Sequence, residues 1–165
     1  MRLDNRLHID KMMNEGEIEM EEVKKLTIKD IRRMYEEKEV MSWISIYDYP
    51  MAYYADRAGV DVIFVGDSST TTVLGYPNTL YASMDQMIMF AGAVTRAVQR
   101  AFVIGDLPYR SYQASKEDAV RNAMRYMAEG HVDAVKCEGG LEVCDRIEEI
   151  VKWGMPCHGH IGVTP

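Results

Sequence analysis

The sequence predicts an α/β protein with the architecture of a (β/α)8 TIM barrel, incomplete in this chain. Short apolar runs of strand length alternate with amphipathic helical patterns along the chain. This alternation favours right-handed crossovers and a parallel sheet. The doubly wound open sheet has the same element order, but no G-x-G-x-x-G or P-loop motif follows the first run. We therefore favour the barrel.

Five apolar runs are predicted to be strands. They are residues 42–47, 60–66, 101–105, 132–137 and 155–161. Barrels of this kind have eight strands and usually need about 200 residues or more, whereas the chain has 165. We therefore expect residues 26–165 to be the N-terminal part of a barrel domain, with about five of the eight strands. The chain is expected to be a truncated product or a piece of a longer enzyme.

Capping patterns predict where three helices begin. The pairs are Thr27 with Asp30, Ser83 with Gln86, and Ser115 with Asp118. A fourth helix is predicted from about Glu142 to Trp153, where a glycine and a proline follow. Apolar stripes on the second and third helices are expected to be buried: Met84, Met87, Ile88, Ala91, Val94 and Val98, and then Ala119, Ala123, Met124 and Met127.

Composition excludes several classes of function. Hydrophobic residues make up 47% of the chain, which is enough for a core. The net charge is -7 and no basic stripe occurs, so nucleic acid is a poor candidate partner. No apolar stretch approaches the roughly 20 residues of a membrane span, so we expect no membrane partner and a cytoplasmic protein. Residues 1–25 are highly charged and are predicted to form an N-terminal arm.

Polar side chains follow the predicted strands. They are Tyr47 and Asp48, Asp67 and Ser68, Asp106, Lys136 and Glu138, and His158 and His160. In parallel α/β folds the carboxyl ends of the strands meet at one mouth, where such groups form a site. Taken singly, an aspartate there is often only a helix N-cap. Three carboxylates at one mouth repel each other and favour a bound cation, and oxygen ligands suit Mg²⁺.

Zinc is disfavoured as the metal. Its best candidate set is Cys157 with His158 and His160. Alternate residues of a strand face opposite sides of the sheet, so Cys157 is expected to point away from the site. The three cysteines, Cys137, Cys144 and Cys157, are instead expected to behave as small buried hydrophobes.

Several segments resemble those of the ketopantoate (3-methyl-2-oxobutanoate) hydroxymethyltransferase family, in the same order and at similar intervals. They are "SIYDYP", "VGDSS" followed by "VLGYPNTL", "GDLPYRSYQ", "AVKCEGG" and "GHIGVTP". The resemblance implies a barrel of the phosphoenolpyruvate/pyruvate group that uses Mg²⁺. It also implies 5,10-methylenetetrahydrofolate as one-carbon donor to a small 2-oxo acid, and a homo-oligomer.

The resemblance also implies roles for individual residues. Asp67, Asp106 and Glu138 would hold the metal. Asp67, Ser68, Asp106, Lys136 and His160 would contact the 2-oxo acid. A Mg²⁺ ion chelated by the keto acid polarises its carbonyl, so that the proton on C3 can leave.

The chain departs from the family pattern in three places. "GDSSTT" stands where "GDSLGM" is common, which places Thr70 at a usual glycine; Arg110 replaces a small residue, and Tyr81 a proline. The family's general-base glutamate lies beyond Pro165, so the catalytic base is unknown in this chain, and Glu138 is the nearest substitute. Two alternatives stay open: a related Mg²⁺-dependent 2-oxo acid lyase or mutase, and a non-catalytic half-barrel that self-associates.

Overall fold

The computed structural model describes residues 23–164 and contains one five-stranded parallel sheet. The strands are β1 (Trp43–Ser45), β2 (Val62–Val65), β3 (Phe102–Asp106), β4 (Ala134–Glu138) and β5 (Cys157–His160). The helices are α1 (Ile28–Glu36), α2 (Tyr49–Arg57), α3 (Ser69–Thr72), α4 (Met84–Ala97), α5 (Lys116–Gly130) and α6 (Cys144–Lys152). Short 3-10 turns occur at Thr79–Tyr81 and Leu141–Val143.

The strand order confirms the predicted barrel type. Each strand pairs with the next one along the chain, in the order β1-β2-β3-β4-β5. A doubly wound sheet reverses its strand order at a switch point, and this sheet does not. The described residues therefore form an arc of a barrel wall.

The sheet is strongly curved. The rings of Trp43 on β1 and His158 on β5 lie 5.3 Å apart, centroid to centroid. The edge strands of a flat five-stranded sheet would be about 19 Å apart. The two edges are thus brought toward each other across the inner face, as barrel curvature requires.

The core has two parts, one on each face of the sheet. The larger part fills the space between the sheet and helices α2, α4, α5 and α6, and includes Ile63, Val103 and Val135. The smaller part lies on the concave face, and Leu26 and Ile31 pack against it. Helix α1 and the segment before it therefore cover the amino ends of the strands. The opposite ends remain available for polar groups.

Two carboxylates, the buried Asp56 and the partly exposed Asp133, hold the start of β3 in place. Asp56 accepts backbone N–H groups from Gln99, Arg100 and Ala101 at 2.8, 3.0 and 2.7 Å. Asp133 accepts the N–H of Val103 at 2.7 Å. These hydrogen bonds satisfy backbone donors at the start of β3 that the sheet leaves unpaired.

The predicted helix starts are confirmed, but two helices, α2 and the four-residue α3, were missed. Side-chain caps are present at Thr27, Ser83 and Ser115. Helix α2 was not predicted: its proline and its aromatic residues mask the helical pattern, although Pro50 is well placed in a first turn and Asp48 caps it.

Two predictions of burial are wrong. Met124 is 41% exposed because it lies at the edge of the α5 stripe, and Cys144 is exposed at the start of α6. Residues 1–22 of the predicted N-terminal arm lie outside the described residues. Within residues 23–164, no helix has the length and apolar character to cross a membrane.

Candidate functional site

Hydrogen bonds link side chains from three neighbouring strands into one row at the carboxyl end of the inner face of the sheet. The ammonium of Lys136 lies 2.9 Å from both carboxylate oxygens of Asp106. It also donates to Glu138, whose Oε1 lies 2.9 Å from Nδ1 of His160. The linked side chains therefore follow each other in the order Asp106, Lys136, Glu138, His160.

Sheet register explains why these residues meet. Asp106 is the register partner of Lys136, and Glu138 is that of His160. Lys136 and Glu138 are two apart on β4, so they share a face. Local strand pairing thus brings together four of the residues that the sequence predicted for the site.

Asp67 and Ser68 join the site from the end of β2. The backbone N–H of Asp67 donates to Oδ2 of Asp106 at 3.3 Å. Oγ of Ser68 lies 2.8 Å from the hydroxyl of Tyr47, which follows β1. The site therefore draws on the ends of all five strands.

The loop after β2 turns as a short helix. Ser69 and Thr70 are fully buried, and Oγ1 of Thr70 donates to the carbonyl of Asp67 at 2.8 Å. Thr70 has no positive φ, so the β-branched residue at this point sits in ordinary helical backbone. The bond to the carbonyl of Asp67 fixes the backbone beside the Asp67 carboxylate.

Burial and mutual repulsion raise the pKa of two carboxyl groups of the site. Burial raises the pKa of Asp106 to about 7 despite the attraction of Lys136, and the charges of Asp67 and Glu138 add to the rise. Burial, and then the charge of Glu138, also raise the pKa of Asp67. Burial opposes the charged form of Lys136, but Asp106 and Glu138 together raise its pKa, so it remains an ammonium.

The donor set fits a hard divalent cation. Three carboxylates face one ammonium, so two negative charges are left over when all three are ionised. Carboxylate oxygens are the ligands that Mg²⁺ prefers. Among residues 23–164, however, no three His, Cys, Asp or Glu side chains converge as a ready metal centre. Lys136 lies between Asp106 and Glu138 and supplies the compensating charge there.

The disfavoured zinc set is also separated in the structure. Cys157 packs against the outer core, whereas His158 contacts Trp43 and His160 contacts Glu138 on the inner face. Asp48 has the plain structural role of an N-cap, accepting the N–H of Met51 at 2.9 Å.

Sequence reasoning missed Tyr112. Its hydroxyl donates to the carbonyl of Glu138 and accepts the backbone N–H of the same residue, each at 2.9 Å. Tyr112 is fully buried in the loop after β3 and anchors the end of β4. No local pattern marks such a contact, which spans 26 residues of sequence.

Comparison with known proteins identifies one family for this sequence. The sequence model described as ketopantoate hydroxymethyltransferase matches residues 25–165. The 3-methyl-2-oxobutanoate hydroxymethyltransferase of Ignicoccus hospitalis is 48% identical over 143 residues, which make up 87% of this chain and 54% of that protein. The chain spans about half the length of the curated relatives it matches.

Several solved structures have a fold similar to that of this chain. Phosphoenolpyruvate phosphomutase from Streptomyces platensis aligns with a TM-score of 0.63 at 20% identity, covering 77% of this chain and 49% of that one. Phosphonopyruvate hydrolase in complex with oxalate and Mg²⁺ aligns with a TM-score of 0.57 at 17% identity, covering 68% and 39% of the two chains. At these identities the likeness concerns the fold alone.

Proposed function

Because the chain belongs to the ketopantoate hydroxymethyltransferase family, we propose that it carries part of the active site of such an enzyme. The reaction transfers a hydroxymethyl group from 5,10-methylenetetrahydrofolate to 3-methyl-2-oxobutanoate and gives ketopantoate. The observation that carries the proposal is the buried Asp106–Lys136–Glu138 cluster beside Asp67. A homo-oligomer, which the resemblance implies, and a cytoplasmic location are part of the same proposal.

Asp67, Asp106 and Glu138 would hold Mg²⁺. Support comes from the three neighbouring carboxylates, of which Lys136 pairs with only two, and from the Mg²⁺ named for the structurally similar phosphonopyruvate hydrolase. When bound, the ion would polarise the keto group of the substrate and stabilise the charge that develops as the C3 proton leaves.

Lys136, Ser68 and His160 would bind and orient the 2-oxo acid. Lys136 is the buried cation of the site, and it would give the substrate carboxylate a charged hydrogen bond. Ser68 is held by Tyr47, and His160 is held by Glu138, so both enter the reaction already positioned. The hydrophobic wall below them, formed by Phe64 and Ile104, would exclude water from the acid's alkyl end.

Glu138 is a poor candidate for the base that removes the C3 proton. Its carboxylate already accepts hydrogen bonds from Lys136 and His160, and a base must be free to reach the proton. We therefore propose that the base comes from the part of the family's length that this chain does not span.

Proton exchange tests this function. Purified full-length protein incubated with 3-methyl-2-oxobutanoate in D₂O is expected to remove the C3 proton signal from the NMR spectrum only when Mg²⁺ is present. Adding 5,10-methylenetetrahydrofolate should then give ketopantoate. The variant Asp106→Asn should lose the exchange, whereas Glu36→Gln, which changes an exposed carboxylate at the end of α1, should keep it.

The outcome also separates the alternatives. Exchange without a folate-dependent product would assign the site to a lyase or mutase. Absence of any Mg²⁺-dependent exchange would refute the proposed function.

A further inference from the structure

Arg110 occupies an unusual position among the loops at the mouth of the site. The loops that follow the five strands span residues 46–48, 66–83, 107–115, 139–143 and 161–164. Within these loops Arg110 is the one basic residue. Any anionic group of a ligand that extends past the buried cluster into this region meets a single cation there.

The backbone at Arg110 has a positive φ, which is uncommon for a residue other than glycine. Three non-glycine residues among positions 23–164 have a positive φ: Lys38, Arg110 and His131. Lys38 comes directly after the C-cap of α1, and His131 is the C-cap of α5, where a left-handed residue commonly ends a helix. Arg110, with φ of 77°, is the third residue of a type II β-turn, which the N–H of Ser111 closes by donating to the carbonyl of Pro108 at 3.0 Å. Glycine is the residue favoured at this position of the turn, so the chain carries a long basic side chain where the backbone does not favour one.

The loop holds Arg110 in this conformation through several hydrogen bonds. The N–H of Arg110 donates to Oε1 of Gln113 at 2.7 Å. The hydroxyl of Ser111 donates to the carbonyl of Pro108 at 2.6 Å, and the side chain of Asn122 donates to the carbonyl of Ser111 at 2.6 Å. These hydrogen bonds tie the loop to itself and to α5, and the side chain of Arg110 is exposed.

The charge of Arg110 is not neutralised by the described part of the chain. No ion pair to Arg110 forms among residues 23–164, whereas Lys116 and Arg146 at the same end of the sheet both pair with Asp145. Arg110 lines a groove of about 320 Å³ together with Ser83, Tyr109 and Asn122. The groove lies between the starts of α4 and α5, outside the buried cluster.

We propose that Arg110 is a specificity-determining residue that binds the glutamyl carboxylates of the folate co-substrate at the rim of the site. The inference rests on the proposed function. The 2-oxo acid would occupy the buried cluster, so the one-carbon donor must approach from outside. Its glutamyl carboxylates lie at the end of the molecule remote from the reacting carbon. A guanidinium matches a carboxylate with two parallel hydrogen bonds.

A binding titration tests the inference. The Kd of tetrahydrofolate triglutamate is measured for full-length wild-type protein and for Arg110→Gln, Arg110→Lys and Arg32→Gln. Arg110→Gln should raise this Kd about fivefold, the effect of one exposed charge pair, and the ratio should shrink at high salt. Arg110→Lys should retain most of the affinity. Arg32→Gln removes the same charge from α1 at the far end of the sheet and should change nothing.

Two further measurements determine which group of the ligand the Arg110 side chain recognises. The Kd of tetrahydropteroate, which lacks the glutamyl tail, should be the same in wild type and Arg110→Gln, and Mg²⁺-dependent exchange of the 2-oxo acid should be unchanged. An unchanged Kd for the triglutamate, an equal loss for tetrahydropteroate, or no folate binding at all would overturn the assignment. A selective loss of affinity for a dicarboxylic acid such as 2-oxoglutarate would overturn it too. Exchange activity reports separately on the proposed function.

Discussion

The ammonium of Lys136 lies 2.9 Å from both carboxylate oxygens of Asp106, and both side chains are almost completely buried. Removing one partner of a buried ion pair leaves the other charge without compensation. Lys136→Met keeps a similar side-chain volume but removes the charge. We expect the free energy of unfolding without Mg²⁺ to fall by about 3–5 kcal/mol, measured by urea denaturation.

The exposed Lys29 of α1 provides the control for this change. Lys29→Met should stay within about 0.5 kcal/mol of wild type. Equal stability of Lys136→Met and wild type would show that the ammonium does not stabilise the acidic cluster.

Metal affinity should depend on Asp67 and Asp106. Each would supply a charged oxygen, so Asp67→Ala and Asp106→Ala should each weaken Mg²⁺ binding at least about tenfold, measured by calorimetry. Asp48→Ala removes a carboxylate from the same rim, where it caps α2, and should leave the affinity unchanged. Unchanged Mg²⁺ affinity in both site variants would refute the metal assignment.

Gly105 on β3 makes room for the ring of Tyr126 on α5. A Cβ at Gly105 would lie 2.5 and 2.6 Å from ring atoms Cε1 and Cζ of Tyr126. Gly105→Ala should therefore lower the free energy of unfolding by about 1–3 kcal/mol, because the core there is already filled. Gly159→Ala on β5, where the nearest atom would be 3.9 Å away, should be tolerated. If Gly105→Ala is also tolerated, α5 can shift away from the sheet.

The hydroxyl of Tyr126 is fully buried and has no hydrogen-bond partner among residues 23–164. An unpaired buried hydroxyl costs free energy, so Tyr126→Phe should raise the free energy of unfolding by about 1 kcal/mol. Tyr112→Phe should act in the opposite direction, because its hydroxyl makes two hydrogen bonds with the backbone of Glu138. Thermal and urea denaturation of both variants measure the signs. A loss of stability in Tyr126→Phe would mean that a buried water pairs with this hydroxyl.

Sequence patterns alone predict the barrel type, the strand-helix order and the positions of Asp67, Asp106, Lys136 and Glu138 at strand ends. These features follow from short-range rules: hydrophobic period, capping residues and the alternation of side chains along a strand. Helix α2 was not predicted because its aromatic residues and proline obscure the hydrophobic period of about 3.6 residues that marks a helix.

The contacts between those residues could not be predicted from the sequence, because they depend on how the strands pack. The register of β3 with β4 places Lys136 between Asp106 and Glu138, and the curvature of the sheet brings Trp43 to His158. The contact of Tyr112 with Glu138 and the fit of Tyr126 over Gly105 likewise join residues far apart in the chain. Strand register, sheet curvature and core fit depend on the packing of the whole molecule, and no local sequence window contains them.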